Sequence, residues 1–420
     1  MNPLKSVPKE LQILIILLIL SLFFHFNNFS ERLNFSTDQA KFSLKAWDLW
    51  QNREISLTGP SISLNLDGRE IYQGGVIYYF LLIFLLFGNF NPLIASVLFS
   101  LFAVSASIAL YAGLKMLFGK EKALAATAIY LLLPVFINYT GFLWNPNFQL
   151  ALMPFLFLFL GLFKKYKRNG LLLVSGIWLG VLIQFHYQLV LGLVMLLIWF
   201  KLYLRNSLFQ YLVFLAGIAA GFLPVLIYEA RNEFYNLKSL IYLFQHFSRL
   251  EGSGNAGHQH YYLSLLLIIL VLFLSLIKKL PAKTLIILTG VLVIWDLIIF
   301  MPEPKQGFGM AKDWKFEDEL KVAQIIKEKN LDGYNFTNLE YDSLYYVQKY
   351  FSKINGLEGK IKDYWETEKL FAVIKKDENP DEDPAYEIRI IKPYKQLGSW
   401  DINNYYKMYL FEKVGSLQGE

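Results

Sequence analysis

Apolar residues fall in runs along most of this chain, and the runs set its architecture. Between Leu11 and Phe300 they recur at lengths near the roughly 20 residues that a helix needs to cross a bilayer, whereas residues 301–420 are a mixed polar sequence. Clear spans lie at 11–28, 92–117, 123–141, 147–163, 209–228, 260–277 and 284–300. The stretch 171–203 is too long for one crossing, since a helix of that length reaches roughly 50 Å. The polar run Gln184-Phe185-His186-Tyr187-Gln188 also interrupts it. Lys164, Lys165, Lys167 and Arg168 precede it and Lys201 and Arg205 follow, so its crossings are even in number and it reads as a hairpin of two short helices. Each is shorter than the hydrocarbon core, which puts the His186 turn below the outer surface, either buried in protein or lining a water-filled cavity. The run Val76 to Phe87 is too short to cross, and a crossing there would invert every later loop. It predicts an interfacial or re-entrant helix on the outer side, with Gly88-Asn89-Phe90-Asn91-Pro92 turning into the second span.

The expectation is an α-helical polytopic membrane protein of about nine transmembrane helices over residues 1–300, followed by a small C-terminal α/β or α+β domain over 301–420. The parity of basic loops puts the amino terminus in the cytoplasm and the tail outside. It also places residues 29–75, the Trp144 turn and the loop from Glu229 to about Gln259 on the outer face. The first run is long, has no small-residue cleavage pattern and is followed by many further spans, so it reads as a first helix and not as a removable signal peptide.

Composition agrees. Of 420 residues, 55% are hydrophobic and only 18% charged, below the roughly 25% of an ordinary soluble domain. The absence of cysteine excludes disulfides, thiolate metal sites and cysteine nucleophiles. The net charge of +6 is no nucleic-acid signature, because its Lys and Arg residues sit largely in short loops between spans, where positive-inside topology accounts for them.

Chemistry collects on the outer side. After Ser36-Thr37-Asp38-Gln39-Ala40, the residues Phe42, Ala46, Leu49 and Trp50 fall at helical spacing. Thr37 reads as a cap of that helix and Asp38 as a charge favouring its positive end. Equally, an ionisable group held at the membrane surface between two spans is a functional candidate. The same loop continues with Leu57-Thr58-Gly59-Pro60 and Tyr72-Gln73-Gly74-Gly75, then Tyr78 and Tyr79, which read either as an aromatic belt or as ligand contacts. Trp144-Asn145-Pro146-Asn147 forms the next outer turn. His186 and Tyr187 cap the buried hairpin. Glu229 and Arg231 open the last large outer loop, either pairing with one another or facing a ligand. His246 and Arg249, three apart, point the same way on a helix and suit a phosphate.

In order and sidedness this pattern resembles the GT-C glycosyltransferases of family 39, the protein O-mannosyltransferases and the aminoarabinose transferases of lipid A, over roughly residues 1–260. The elements are the first-loop Asp38, the Gly59-Pro60 and Gly74-Gly75-x-x-Tyr78-Tyr79 segments, the Leu117-Phe118-Gly119-Lys120 turn, the Trp144-Asn145-Pro146 turn and the His186-Tyr187 hairpin. The resemblance implies transfer of a sugar from a polyprenyl-phosphate donor to a lipid, glycan or protein acceptor at the outer face. It implies Asp38 as catalytic base and His246 and Arg249 as contacts to the donor phosphate. Gln39, Tyr72, Tyr78, Tyr79, Asn145, His186, Tyr187, Glu229 and Arg231 complete the expected substrate-binding set. Relatives often carry acids where this chain has Gln39 and Asn147, which argues against a bound divalent metal, since hard cations want several oxygen ligands with carboxylates among them. No other cofactor is implied. One carboxylate suffices, because a glycosyl phosphate already carries a stable leaving group and needs no general acid.

In the tail, helix-like stretches near 317–329 and 343–351 alternate with strand-like ones near 334–337, 370–374, 386–391 and 408–412. Asp377, Glu378, Asp381, Glu382 and Asp383 read as a solvated acidic loop. The rival class is a transporter or flippase of lipid-linked sugars, which would show repeated halves, and no repeat is visible. A third class, a structural partner in a cell-envelope complex, would leave the outer residues passive.

Overall fold

The computed structural model describes residues 8–62, 67–204, 207–246 and 259–414. The chain divides into two compact units: Met1–Asn27 with Leu49–Pro302, and Asn28–Asp48 with Glu303–Glu420. The loop after the first span thus groups with the tail, across more than 250 residues of sequence, and not with the spans that it joins.

Among the described residues of the first unit four helices are long and apolar enough to cross a membrane: Lys9–Phe26, Pro92–Phe118, Asn145–Tyr166 and Ala282–Phe300. Leu208–Gly221 and Leu223–Arg231 add a fifth if counted as one span bent by 64°. The bend falls at Phe222, two residues ahead of Pro224, whose ring cannot continue the hydrogen-bond ladder of the helix before it. The expected span 123–141 is likewise broken, into Lys120–Leu132 and Pro134–Tyr139, because Leu133 ahead of the proline takes extended backbone. Asn169–Phe185 and Leu189–Leu204 are the two short helices expected around His186, and His260–Leu276 is a further short apolar helix. Val76–Phe87 is a separate helix of 12 residues. Asn91 then caps Pro92–Phe118, its side chain accepting from the amides of Leu93 and Ile94 at 2.9 and 3.2 Å, with Pro92 in the first turn.

Helices Asn169–Phe185 and Leu208–Gly221 meet backbone to backbone through Gly176 and Gly180 on one and Gly217 and Gly221 on the other. A Cβ on Gly176 would lie 2.2 Å from the Phe214 carbonyl oxygen, and one on Gly221 2.0 Å from that of Ile177. Only glycine permits this approach, the small-xxx-small device of helices that have no hydrophobic drive to associate in lipid.

Outside the helices, the first unit carries a two-stranded antiparallel ribbon, β1 (Thr58–Ser61) and β2 (Tyr72–Gly74).

The second unit is built on a four-stranded sheet of β3 (Tyr334–Asn338), β4 (Lys369–Lys375), β5 (Tyr394–Asp401) and β6 (Tyr406–Lys413), in the order β3-β4-β6-β5. β3 and β4 run parallel and the other pairs antiparallel. Helices Phe316–Lys329 and Tyr346–Ile354 fall close to the helix-like stretches. Residues 386–391, expected as a strand, form a short helix that buries Glu387, Ile388 and Ile391 on one side. β5 was not expected. It is an edge strand with no fully buried position, so the apolar alternation that marks a strand is missing from its sequence.

Residues 28–48 are threaded into this unit. Phe35 packs against Phe316, Tyr350 and Phe351 with ring centroids 5.9, 5.3 and 6.1 Å away. The Lys315 ammonium lies 2.9 Å from Glu31, and the Phe308 amide donates to the Arg32 carbonyl at 2.9 Å. Gly309, at φ +71°, keeps its Cα clear of the Asn34 side chain: a Cβ there would sit 2.8 Å from Asn34 Nδ2.

Candidate functional site

The expected site residues fall in both units. Asp38 and Gln39 belong to the second, at the start of helix Thr37–Asn52. Ser36 precedes the first helical residue, and the Gln39 side chain reaches back to it: Gln39 Oε1 accepts from the Ser36 amide at 3.2 Å and from the Ser36 hydroxyl at 2.9 Å. That is the returning half of a capping box, and it occupies the carbonyl oxygen of Gln39, which is buried. Thr37, expected as the cap, is instead the first helical residue and lies beside the Asp342 carboxylate. Asp38 is exposed. Phe42, Ala46 and Leu49 are buried as the spacing predicts, while Trp50 is 50% exposed.

In the first unit a hydrogen-bonded set gathers around β2. Asn236 pairs with both backbone groups of Tyr72, accepting from its amide at 2.9 Å and donating to its carbonyl at 3.0 Å. Tyr187 donates its hydroxyl to the same carbonyl at 2.7 Å. The Tyr72 hydroxyl donates to Glu70 at 2.6 Å, and that carboxylate, with burial second, pushes the phenol up to about 12, so Tyr72 stays a neutral donor. Asn145 donates to Gln73 Oε1 at 2.8 Å and to the Phe185 carbonyl at 3.2 Å. Glu229 is buried and does not pair with Arg231. Its two oxygens accept from the amides of Asn236 and Leu237 at 3.2 and 3.1 Å, satisfying the open donors at the start of helix Tyr235–Gln245. Arg231 is exposed at the end of its own helix. Asn145 and Tyr187 therefore tie their turns to β2, and Glu229 caps the helix whose Asn236 pairs with Tyr72.

Tyr79 both accepts from the Ser56 amide at 2.8 Å and donates to the Ser56 carbonyl at 3.1 Å, and Tyr78 is buried. The His246 Nδ1 faces the Tyr242 carbonyl at 2.9 Å, which only an N–H can satisfy, so Nδ1 carries the proton. The His246 ring lies 4.2 Å from that of Tyr242, and the Arg69 guanidinium sits over the same tyrosine at 4.2 Å. The Tyr242 hydroxyl donates to Asp67 at 2.6 Å. Arg69 is a cation that shares the Tyr242 ring with His246, and no motif marked it. Arg249 lies outside the described residues.

A second group forms around the His186 turn. His186 stands 5.4 Å from Tyr261, Tyr261 4.1 Å from His260, and His260 4.5 Å from Trp144, all ring to ring. His186 Nδ1 and Trp144 Nε1 are buried with no hydrogen-bond partner among the described residues. His260 and Tyr261 escaped the sequence reading because they open an apolar run and look like its interfacial start. An unpartnered imidazole nitrogen and an unpartnered indole N–H at such a place suit a hydroxyl-bearing ligand. No group of three or more His, Asp or Glu able to hold a metal ion occurs among the described residues.

Compared by sequence, the chain matches no protein-family model and no curated protein. Compared by structure, it is similar to the crystal structure of ArnT from Cupriavidus metallidurans in the apo state, with a TM-score of 0.52 at 11% identity over 97% of this chain and 98% of that one. The structure of ArnT from the same organism bound to undecaprenyl phosphate gives a TM-score of 0.47 at 10% identity, over 97% and 99% of the two chains. The chain shares the fold of apo ArnT over nearly its whole length, is mostly helical with a small C-terminal sheet domain, and is an integral membrane protein.

Proposed function

We propose that this protein is a membrane glycosyltransferase that takes a sugar from a polyprenyl-phosphate donor and passes it to an acceptor hydroxyl on the extracytoplasmic side, inverting the anomeric centre. The observation that carries this is the end-to-end likeness of fold to apo ArnT, covering 97% of the chain. Asp38, an exposed residue in the first turn of helix Thr37–Asn52, supports it further.

In the proposed reaction Asp38 takes the proton of the acceptor hydroxyl as its oxygen attacks the anomeric carbon. The bond from that carbon to the phosphate oxygen breaks, and the lipid phosphate leaves with the electron pair. Cationic and N–H groups on the outer side stabilise the charge that develops there. Arg69 is the described candidate, His246 joins it when its Nε2 is also protonated, and Arg249 keeps the role that the family resemblance gives it. Gln39, Tyr72, Tyr78, Tyr79, Asn145, His186, Tyr187, Glu229 and Arg231 stand as the substrate-facing set, with the bonds above limiting which of their atoms are open to a ligand. The amino terminus is placed in the cytoplasm and residues 303–420 outside, by the distribution of basic loops.

Incubating the purified protein with a panel of polyprenyl-phosphate sugars and measuring released lipid phosphate by mass spectrometry tests the activity. Asp38→Asn keeps the shape of the side chain and loses the base, so turnover should fall about 100- to 10,000-fold with donor binding retained. Turnover within a few-fold of the parent would remove Asp38 as the base. Topology has its own test: a cysteine placed at Glu378 should react with an impermeant reagent added to intact cells, and protection would reverse the sidedness.

A further inference from the structure

The second unit shows what the tail does to the helix that carries Asp38. Four contacts from the tail hold that helix and its approach. At its first residue, Thr37 lies beside the buried Asp342 carboxylate. Asp342 is held by the tail itself: Oδ2 accepts from the Tyr346 amide at 2.9 Å, at the start of helix Tyr346–Ile354. Asp342 thus sits against the first turns of two helices. Three turns further on, Lys353 of helix Tyr346–Ile354 lies 2.6 Å from Asp48, while also holding Glu358 at 2.7 Å. Between these points the Lys41 ammonium sits over the Tyr346 ring at 5.7 Å. Ahead of the helix, Phe35 is buried among Phe316, Tyr350 and Phe351. Asp38 itself stays exposed, one residue from the Thr37 contact.

We propose that residues 303–420 are a positioning element for the Asp38 helix, acting through Asp342 on Thr37 and Lys353 on Asp48. This rests on the reading of Asp38 as the base. A base must lie within hydrogen-bond reach of the proton it removes, and a displacement of about 1 Å costs on the order of 100-fold in rate. The tail holds this helix near its first residue and again at Asp48. Asp342, Thr37, Lys353 and Asp48 are positioning residues, and none is assigned to touch the substrate.

The test uses the full-length protein in detergent, with the polyprenyl-phosphate sugar of highest turnover in the panel as probe. Thr37→Val deletes the hydroxyl with little change of shape, and Asp342→Ala deletes its partner. Each should lower kcat about 10- to 100-fold while the KM for the donor stays within about twofold. The double variant should be no worse than the worse single one, since both break one contact. Thr37→Ser, which keeps the hydroxyl, should stay within about threefold of the parent. Hydrogen exchange supplies a readout independent of activity: Thr37→Val should speed exchange over residues 37–48 and leave β4 unchanged. Parental kcat in Thr37→Val, multiplicative losses in the double variant, or equal loss of protection in β4 would each overturn the inference. Asp38→Asn in the same assay separates the two proposals. If it is active, the base assignment falls. If it is inactive while Thr37→Val is parental, positioning by the tail falls alone.

Discussion

Replacing Glu319 by Gln removes a carboxyl that the second unit buries completely, and the consequence is a change in how stability depends on pH. Glu319 accepts from Trp314 Nε1 at 2.8 Å and from Gln348 Nε2 at 2.9 Å, and the Tyr341 hydroxyl donates to it as well. These bonds favour the charged form, but burial outweighs them and pushes the carboxyl up to about 8 from its ordinary 4.5. The folded pKa lies above the unfolded one, so the native state binds the proton more tightly. The resulting stabilisation is complete below about pH 4.5 and is lost as pH rises to about 8. Within that window the slope approaches about 1.4 kcal/mol per pH unit, and from pH 5 to 8 the loss is about 3 to 4 kcal/mol. Amide exchange of β4 and β6, corrected for the intrinsic pH dependence of exchange, reads this as a loss of protection of roughly a few hundred-fold in the parent. Glu319→Gln should flatten most of it. A residual slope of the same sign is expected, because burial also raises Asp318 and Asp342. Parental protection that is flat or rises from pH 5 to 8, or a Gln variant with the full parental slope, would refute the reasoning.

Two further substitutions probe the first unit. Glu229→Ala strands the amides of Asn236 and Leu237 and should cost about 1 to 3 kcal/mol, measured by thermal unfolding in detergent, while Glu229→Gln, which keeps one acceptor, should cost less. Gly221→Leu drives a side chain into the Ile177 carbonyl and should destabilise by at least about 1 to 3 kcal/mol, with Gly290→Ala, which meets nothing within 4 Å, as the tolerated control. Equal melting temperatures for the two glycine variants would contradict the close packing.

Periodicity and breakers made the helices legible. Apolar runs located the spans, the polar interruption at residues 184–188 located the His186 break, and Asn91-Pro92 located the start of a helix. The errors have local causes. Residues 386–391 have the apolar, β-branched content of a strand, and only burial of Glu387, Ile388 and Ile391 on one side reveals a helix. β5 is exposed along an edge, so nothing in its pattern marks it. At the candidate site the residue types were legible and their partners were not. Glu229 and Arg231 are close in sequence, yet the carboxylate turns to the next helix start, and Gln39 turns back to Ser36.

The sequence by itself determined what must be satisfied within a few residues or by transfer into lipid: which stretches are apolar enough to cross, where proline or glycine breaks them, and which polar groups lie outside them. Tertiary structure alone decided what depends on distant partners. It put Thr37 on Asp342 and Asp48 on Lys353, joined Arg69 to Tyr242 beside His246, and set His260 against Trp144. Such pairs leave no periodic trace, because a hydrogen bond or ring contact between residues hundreds of positions apart is fixed by how helices and sheet pack, and packing is a property of the whole chain.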